Sequence, residues 1–149
     1  MDTEARLEVT SLMGRYANSI DYGEQASWVE TFTEDGLFQV FVQNTDTAVI
    51  TARGHGELTQ FVEGNAANSQ KNESMSLHLF GAIEVVEESA DELRLRTRAL
   101  LGATSGDGPA VTSIGTYHDV ARRVGGEWRF AERVLRMDRA EVAGRSGAG

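Results

Sequence analysis

Cysteine is absent from this 149-residue chain, which removes disulfides, thiolate metal sites and cysteine nucleophiles together. The redox compartment is left open, and cytoplasm is the default expectation. Long apolar runs are also missing. Nothing approaches the roughly 20 residues that span a bilayer, and the opening MDTEARLEV carries acids where a secretory signal needs a basic region. The expectation is a chain neither exported by that route nor embedded in a membrane. Positive charge is scarce: 14 Lys and Arg face 23 Asp and Glu, for a net charge of -9. A polyanion is repelled by most of such a surface, so no nucleic-acid partner is expected without a segregated basic face. Lysine is nearly absent, Lys71 being the only one.

What is present suits one domain. A chain of this length buries roughly 70% of its unfolded surface and needs no staples. Leu7, Val9, Leu12, Met13, Tyr16, Ala17 and Ile20 recur at spacings of three and four and predict a helix over 5–20, with Thr3 and Arg6 as a weak cap. Ala26, Trp28, Val29 and Phe32 suggest a second helix, stopped at Gly36 by a left-handed glycine. A strand pair is expected across 43–46, then a third helix over 57–67 and a loop over 68–74.

Four long strands follow, over 75–86, 93–103, 110–124 and 127–138, joined by hairpin-like connections that include the Gly125-Gly126 turn. Residues 1–141 are expected to form one domain, and 142–149, rich in Gly, Ala and Ser, a disordered tail. Without regular alternation of strand and crossover helix the class is α+β. A curved antiparallel sheet of about six strands, closed by three helices from the N-terminal half, leaves a deep cavity between the layers, where ligands commonly sit.

Several residues could work in that cavity. His78 shares a strand face with Ser76, Phe80 and Ala82, opposite Leu77, Leu79, Ile83 and Val85. It reads equally as a pocket histidine or a core histidine bonded to a carbonyl. Asp21 closes the first helix, at a negative helix end where a carboxylate is unfavourable; turn chemistry is the ordinary alternative. Tyr16 lies on the buried stripe and needs an internal partner or a ligand. Tyr117 and Asp119 share one strand face and Arg133 faces inward on the last strand, so an Asp119–Arg133 ion pair reads as a structural lock. Arg94, Arg96 and Arg98 alternate on one face as a solvated or subunit-contacting stripe, with Arg98 best placed to reach a pocket mouth.

His55, His78 and His118 have no ligand spacing, and no metal is expected. No phosphate cradle or serine elbow appears either, so no cofactor is expected and acid-base work by Tyr, Asp and His remains.

The segments LMGRYANSIDYGEQASWVETFTEDGLF, LHLFGAIEV and GTYHDVARRVGGEWRFAERVLRMD, in this order and spacing, resemble the SnoaL-like branch of the nuclear transport factor 2-like superfamily. The resemblance spans nearly the whole chain and implies a cone of curved sheet closed by helices, in a homodimer or homotrimer. It is strongest to scytalone dehydratase, bile acid 7α-dehydratase and hexachlorocyclohexane dehydrochlorinase, in which an Asp and His pair drives elimination without a cofactor. It maps those roles to Asp21 and His78, and the helix tyrosine to Tyr16. Phe80 and Gly81 stand where the pattern is often polar. The same fold hosts isomerases, polyketide cyclases, epoxide hydrolases and non-catalytic dioxygenase subunits.

The expectation is therefore a dehydratase, isomerase or cyclase with Asp21, His78 and Tyr16 catalytic, acting on an apolar cyclic or polyketide-like substrate held by Tyr117, Trp28, Phe80 and Arg98. A non-catalytic ligand-binding or assembly module is the alternative.

Overall fold

Asp2 opens the first helix, α1 (Thr3–Asp21), by accepting the Ala5 N–H at 2.8 Å. It takes the capping role expected of Thr3, a contribution of about 1 kcal/mol. The computed structural model describes residues 1–42 and 45–138, so the expected tail over 142–149 lies outside the described residues. Val9, Leu12, Met13, Tyr16 and Ile20 form the buried stripe of α1. Leu7 does not belong to it and is exposed. Two residues before Val9 is about 200° around the helix.

The second helix, α2 (Gln25–Glu30), is shorter than its apolar pattern suggests, because the chain is already a strand at Phe32. Strand β1 (Phe32–Val42) contains Gly36, which stops no helix and has no positive φ. Its glycine is required by crowding: a Cβ there would stand 2.8 Å from Phe32 Cβ and 3.0 Å from the Thr33 carbonyl. The cause is a bulge, in which Phe32 to Leu37 on β1 span only Phe130 to Glu132 on the neighbouring strand. Strand β2 (Ala48–Arg53) pairs back on β1, and helix α3 (Gly54–Lys71) follows at once. That helix continues through 68–71, where a loop is expected.

The meander β3 (Met75–Glu88), β4 (Glu92–Ser105), β5 (Gly108–Val124) and β6 (Glu127–Met137) agrees with the sequence reading. The six strands lie in the order β2-β1-β6-β5-β4-β3, antiparallel except where β1 runs parallel to β6. The helices pack on one face, burying Trp28, Phe32, Phe38, Leu58, Val62, Leu95, Tyr117, Phe130 and Leu135 with the α1 stripe. Along β4 the alternation is strict: Leu93, Leu95, Thr97 and Ala99 are buried, while Arg94, Arg96, Arg98 and Leu100 are exposed on the bare outer face. On β3 a register shift between Phe80 and Ile83 brings Ile83 and Val85 to the inner side with His78 and Phe80. The expected opposition of those two sets therefore holds only before the bulge. Among the described residues no helix is long and apolar enough to cross a membrane.

Candidate active site

The last residue of α1 meets the first half of β3. After Asp21, Tyr22 caps the helix and Gly23, at φ +75°, turns the chain away, which leaves the Asp21 carboxylate facing the strand. Oδ1 accepts from His78 Nδ1 at 2.6 Å and from Ser76 Oγ at 3.2 Å, and Oδ2 accepts the His78 backbone N–H at 2.9 Å. Because β3 is an edge strand, that N–H has no strand partner on its open side, and the carboxylate supplies the missing acceptor. Three donors on one carboxylate fix both side chains.

A carboxylate can only accept, so in the neutral ring the shared proton sits on Nδ1 and Nε2 carries the lone pair. Nε2 has no hydrogen-bond partner among the described residues. Both side chains are largely buried, with 15% of His78 and 8% of Asp21 exposed.

The interior beyond His78 is aromatic around one charge. Tyr16 on α1 lies edge-on to His78 with ring centroids 6.3 Å apart, and it stands 6.1 Å from both Phe80 and Tyr117. Phe80 and Tyr117 meet at 5.4 Å. The Arg133 guanidinium carbon sits 4.1 Å from the Tyr16 ring, 4.0 Å from Tyr117, 4.3 Å from Phe130 and 5.0 Å from Phe80, a cation–π cage with none of Arg133 exposed. Its Nε donates to Asp119 Oδ1 at 3.2 Å and its Nη2 to Met13 Sδ at 3.2 Å.

Several buried polar atoms here have no partner: Tyr16 Oη, Thr97 Oγ1, Asp119 Oδ2 and Arg133 Nη1. Native interiors rarely leave so many together. Burial pushes the Tyr16 phenol well above its usual range, helped by Tyr117, and burial likewise raises Tyr117. Both stay neutral and can donate. Burial also lifts Asp119 to about 6 against the pull of Arg133.

Tyr16, Asp21, His78, Phe80 and Tyr117 thus lie in one contiguous cluster. Trp28 stands one layer back, with its ring against Tyr16, Phe32, Phe38 and Phe61. Arg98 does not reach this interior: the alternation of β4 places it on the outer face, paired with Asp138 at 3.5 Å. The Asp119–Arg133 pair forms, and Arg133 also belongs to the wall of the site. Its parity with Leu135 is the sequence signal for an arginine at a core position. Ser76 carries the same kind of signal, sharing parity with His78.

The deep cavity expected between the layers is occupied by these side chains. Among the described residues, depressions of about 330 to 500 Å³ dent the surface at places lined by residues other than Asp21, His78 and Tyr16. His55 bonds the Phe32 carbonyl and His118 lies on the outer face. No group of three or more His, Asp or Glu converges among the described residues.

The SnoaL-like domain family matches residues 1–134. No functionally curated protein matches the chain. Among solved structures, a single-residue variant of Rv3472, a protein of unknown function from Mycobacterium tuberculosis, is 26% identical, with a TM-score of 0.78 over 91% of this chain and 72% of that one. The beta subunit of a putative aromatic-ring-hydroxylating dioxygenase from Novosphingobium aromaticivorans is 21% identical, with a TM-score of 0.77 over 91% and 90%. Aln2 from a Streptomyces species is 21% identical, with a TM-score of 0.75 over 98% of each chain. The last two show likeness of fold alone.

Proposed function

Because the chain belongs to the SnoaL-like family, we propose that it is a cofactor-independent acid-base enzyme that removes a proton from an activated carbon of an apolar, cyclic or polyketide-like molecule. The observation that carries this reading is the 2.6 Å contact between Asp21 and His78 Nδ1, which leaves Nε2 without a hydrogen-bond partner, with the Tyr16 ring edge-on to the imidazole at 6.3 Å.

In the proposed reaction Nε2 takes a proton from a carbon next to a carbonyl, and the C–H electron pair moves into an enolate. Asp21 keeps the ring in the productive tautomer and stabilises the imidazolium that forms. Tyr16 and Tyr117 donate to the oxygen where negative charge gathers, with the Arg133 charge behind them. Return of the proton to a departing hydroxyl expels water and leaves a double bond, which is dehydration. Its return to a different carbon is isomerisation, and attack of the enolate on a second carbonyl is cyclisation. Positioned proton transfer contributes typically about 10² to 10⁴ in rate, enough for an already acidic carbon.

The test uses 2-tetralone, a bicyclic ketone with acidic α-protons, and follows deuterium uptake from heavy water by NMR. The protein is expected to speed exchange, and His78→Ala to lose at least about 100-fold of that enhancement with its circular dichroism unchanged. Equal exchange by the two proteins contradicts the reading.

A further inference from the structure

The carboxylate that holds His78 has a further partner, which the proposed proton transfer leaves unused. Ser76 stands two residues before His78 on β3, so alternation brings its side chain to the same face. It is half-buried there, and its Oγ donates to Asp21 Oδ1 at 3.2 Å, the same oxygen that accepts from His78 Nδ1. Among the described residues that is the one hydrogen bond of the Ser76 side chain.

What this bond adds follows from what the other two leave free. The His78 backbone N–H and ring Nδ1 reach Asp21 Oδ2 and Oδ1 at 2.9 and 2.6 Å, so a single residue grips both oxygens. That grip sets the separation of carboxylate and imidazole. Both groups, however, turn about terminal torsions with broad wells, the χ2 of Asp and of His, and two bonds from His78 let them rock together. A donor from a second residue removes that freedom, provided its own backbone is fixed. Ser76 meets the condition, since it pairs with Ala103 in the β3–β4 ladder. A mere tie between helix and strand does not call for it, because the His78 N–H already bonds the end of α1 to β3.

We propose that Ser76 is a positioning residue for the Asp21–His78 pair: its hydroxyl locks the plane of the Asp21 carboxylate, and through it the torsion of the imidazole, so that Nε2 keeps one direction. The role needs no contact with a substrate. It rests on the acid-base reading above for its effect on rate, whereas its effect on the ring is measurable on the protein alone.

Ser76→Thr and Ser76→Val test this in the full chain, because the two new side chains share a shape and differ in the hydroxyl and both suit a strand; circular dichroism controls for fold. The first readout, nitrogen-15 NMR of labelled histidine, follows the Nδ1 proton without any substrate. Wild type and Ser76→Thr are expected to hold that proton in slow exchange with water, and Ser76→Val to exchange it at least about 10-fold faster, as loss of a bond to a charged group implies. The second readout is 2-tetralone exchange against ketone concentration. Ser76→Val is expected to lose about 10- to 100-fold in kcat with KM unchanged, the usual cost of removing an outer partner of a working histidine, and Ser76→Thr to stay within about 3-fold of wild type. A folded Ser76→Val protein with wild-type proton exchange and kcat overturns the proposal, and so does a Ser76→Thr protein as impaired as Ser76→Val. A wild type that leaves the ketone untouched contradicts the acid-base reading instead, and the Nδ1 comparison then decides the role of Ser76 by itself.

Discussion

At the scale of single residues, the tension lies in Asp119 and Tyr16. Asp119 is buried with one oxygen on Arg133 and one bare, and its carboxyl rises from 3.8 to about 6 because desolvation outweighs the arginine. A folded-state value above the unfolded one favours the protonated form. Its stability contribution is therefore complete below about pH 4 and lost as the pH climbs through 6. At roughly 1.4 kcal/mol per pKa unit, Asp119→Asn should match the wild type near pH 4 and be more stable by on the order of 3 kcal/mol at pH 8. Urea unfolding at both pH values checks this; a variant less stable at pH 8 than at pH 4, relative to wild type, contradicts it. Taking the difference matters because His118, lowered by desolvation and by Arg136 and Arg96, stabilises in the opposite direction, above 6.5.

Tyr16→Phe removes a hydroxyl that has no partner. Thermal stability should hold or rise by up to about 1 kcal/mol, while 2-tetralone exchange falls about 10- to 1,000-fold. Lost stability with undiminished exchange would make Tyr16 a core residue only. At this scale sequence reasoning reached Asp21, His78, Tyr16 and Tyr117 through parity and resemblance. It assigned Arg133 to a lock alone, because cross-strand pairing says who meets Asp119 but not that a guanidinium also fills an aromatic cage. It gives Arg98 a reach into the pocket, although alternation with buried Thr97 and Ala99 keeps that side chain on the outer face with Arg94 and Arg96.

At the scale of elements, the strands were legible wherever alternation persists, and bulges are where it failed. A bulge adds a residue and inverts the faces beyond it, and no local residue preference announces it. Hence Ile83 and Val85 join His78's face, and Gly36, which sits in a bulge of β1, resembles a helix stop in the sequence. The Gly36 geometry has a testable consequence. With a Cβ 2.8 Å from Phe32 Cβ and 3.1 Å from its ring, Gly36→Ala must push Phe32 against Tyr16 and Phe130. A loss of about 1–3 kcal/mol is expected, measured by denaturant unfolding; an unchanged midpoint would mean that β1 yields freely there.

At the scale of the molecule, the helices cover one sheet face and leave the other bare, so Asp21, His78 and the aromatic interior all lie on the helical side. The parallel pairing of β1 with β6 brings the N-terminal strand pair beside the end of the meander and holds α2 and α3 over the aromatic interior. That pairing joins segments far apart in the chain, Phe32 with Phe130 among them, and periodicity along the chain does not report it. The central claim is that Asp21 and His78 act as one unit on a proton. A double-mutant cycle on 2-tetralone exchange tests it most directly, with wild type, Asp21→Asn, His78→Ala and the double variant compared at one pH. Because Asp21 acts only through His78, the double variant is expected to be no slower than His78→Ala alone. Losses that multiply, or a His78→Ala protein as fast as the wild type, would contradict the account.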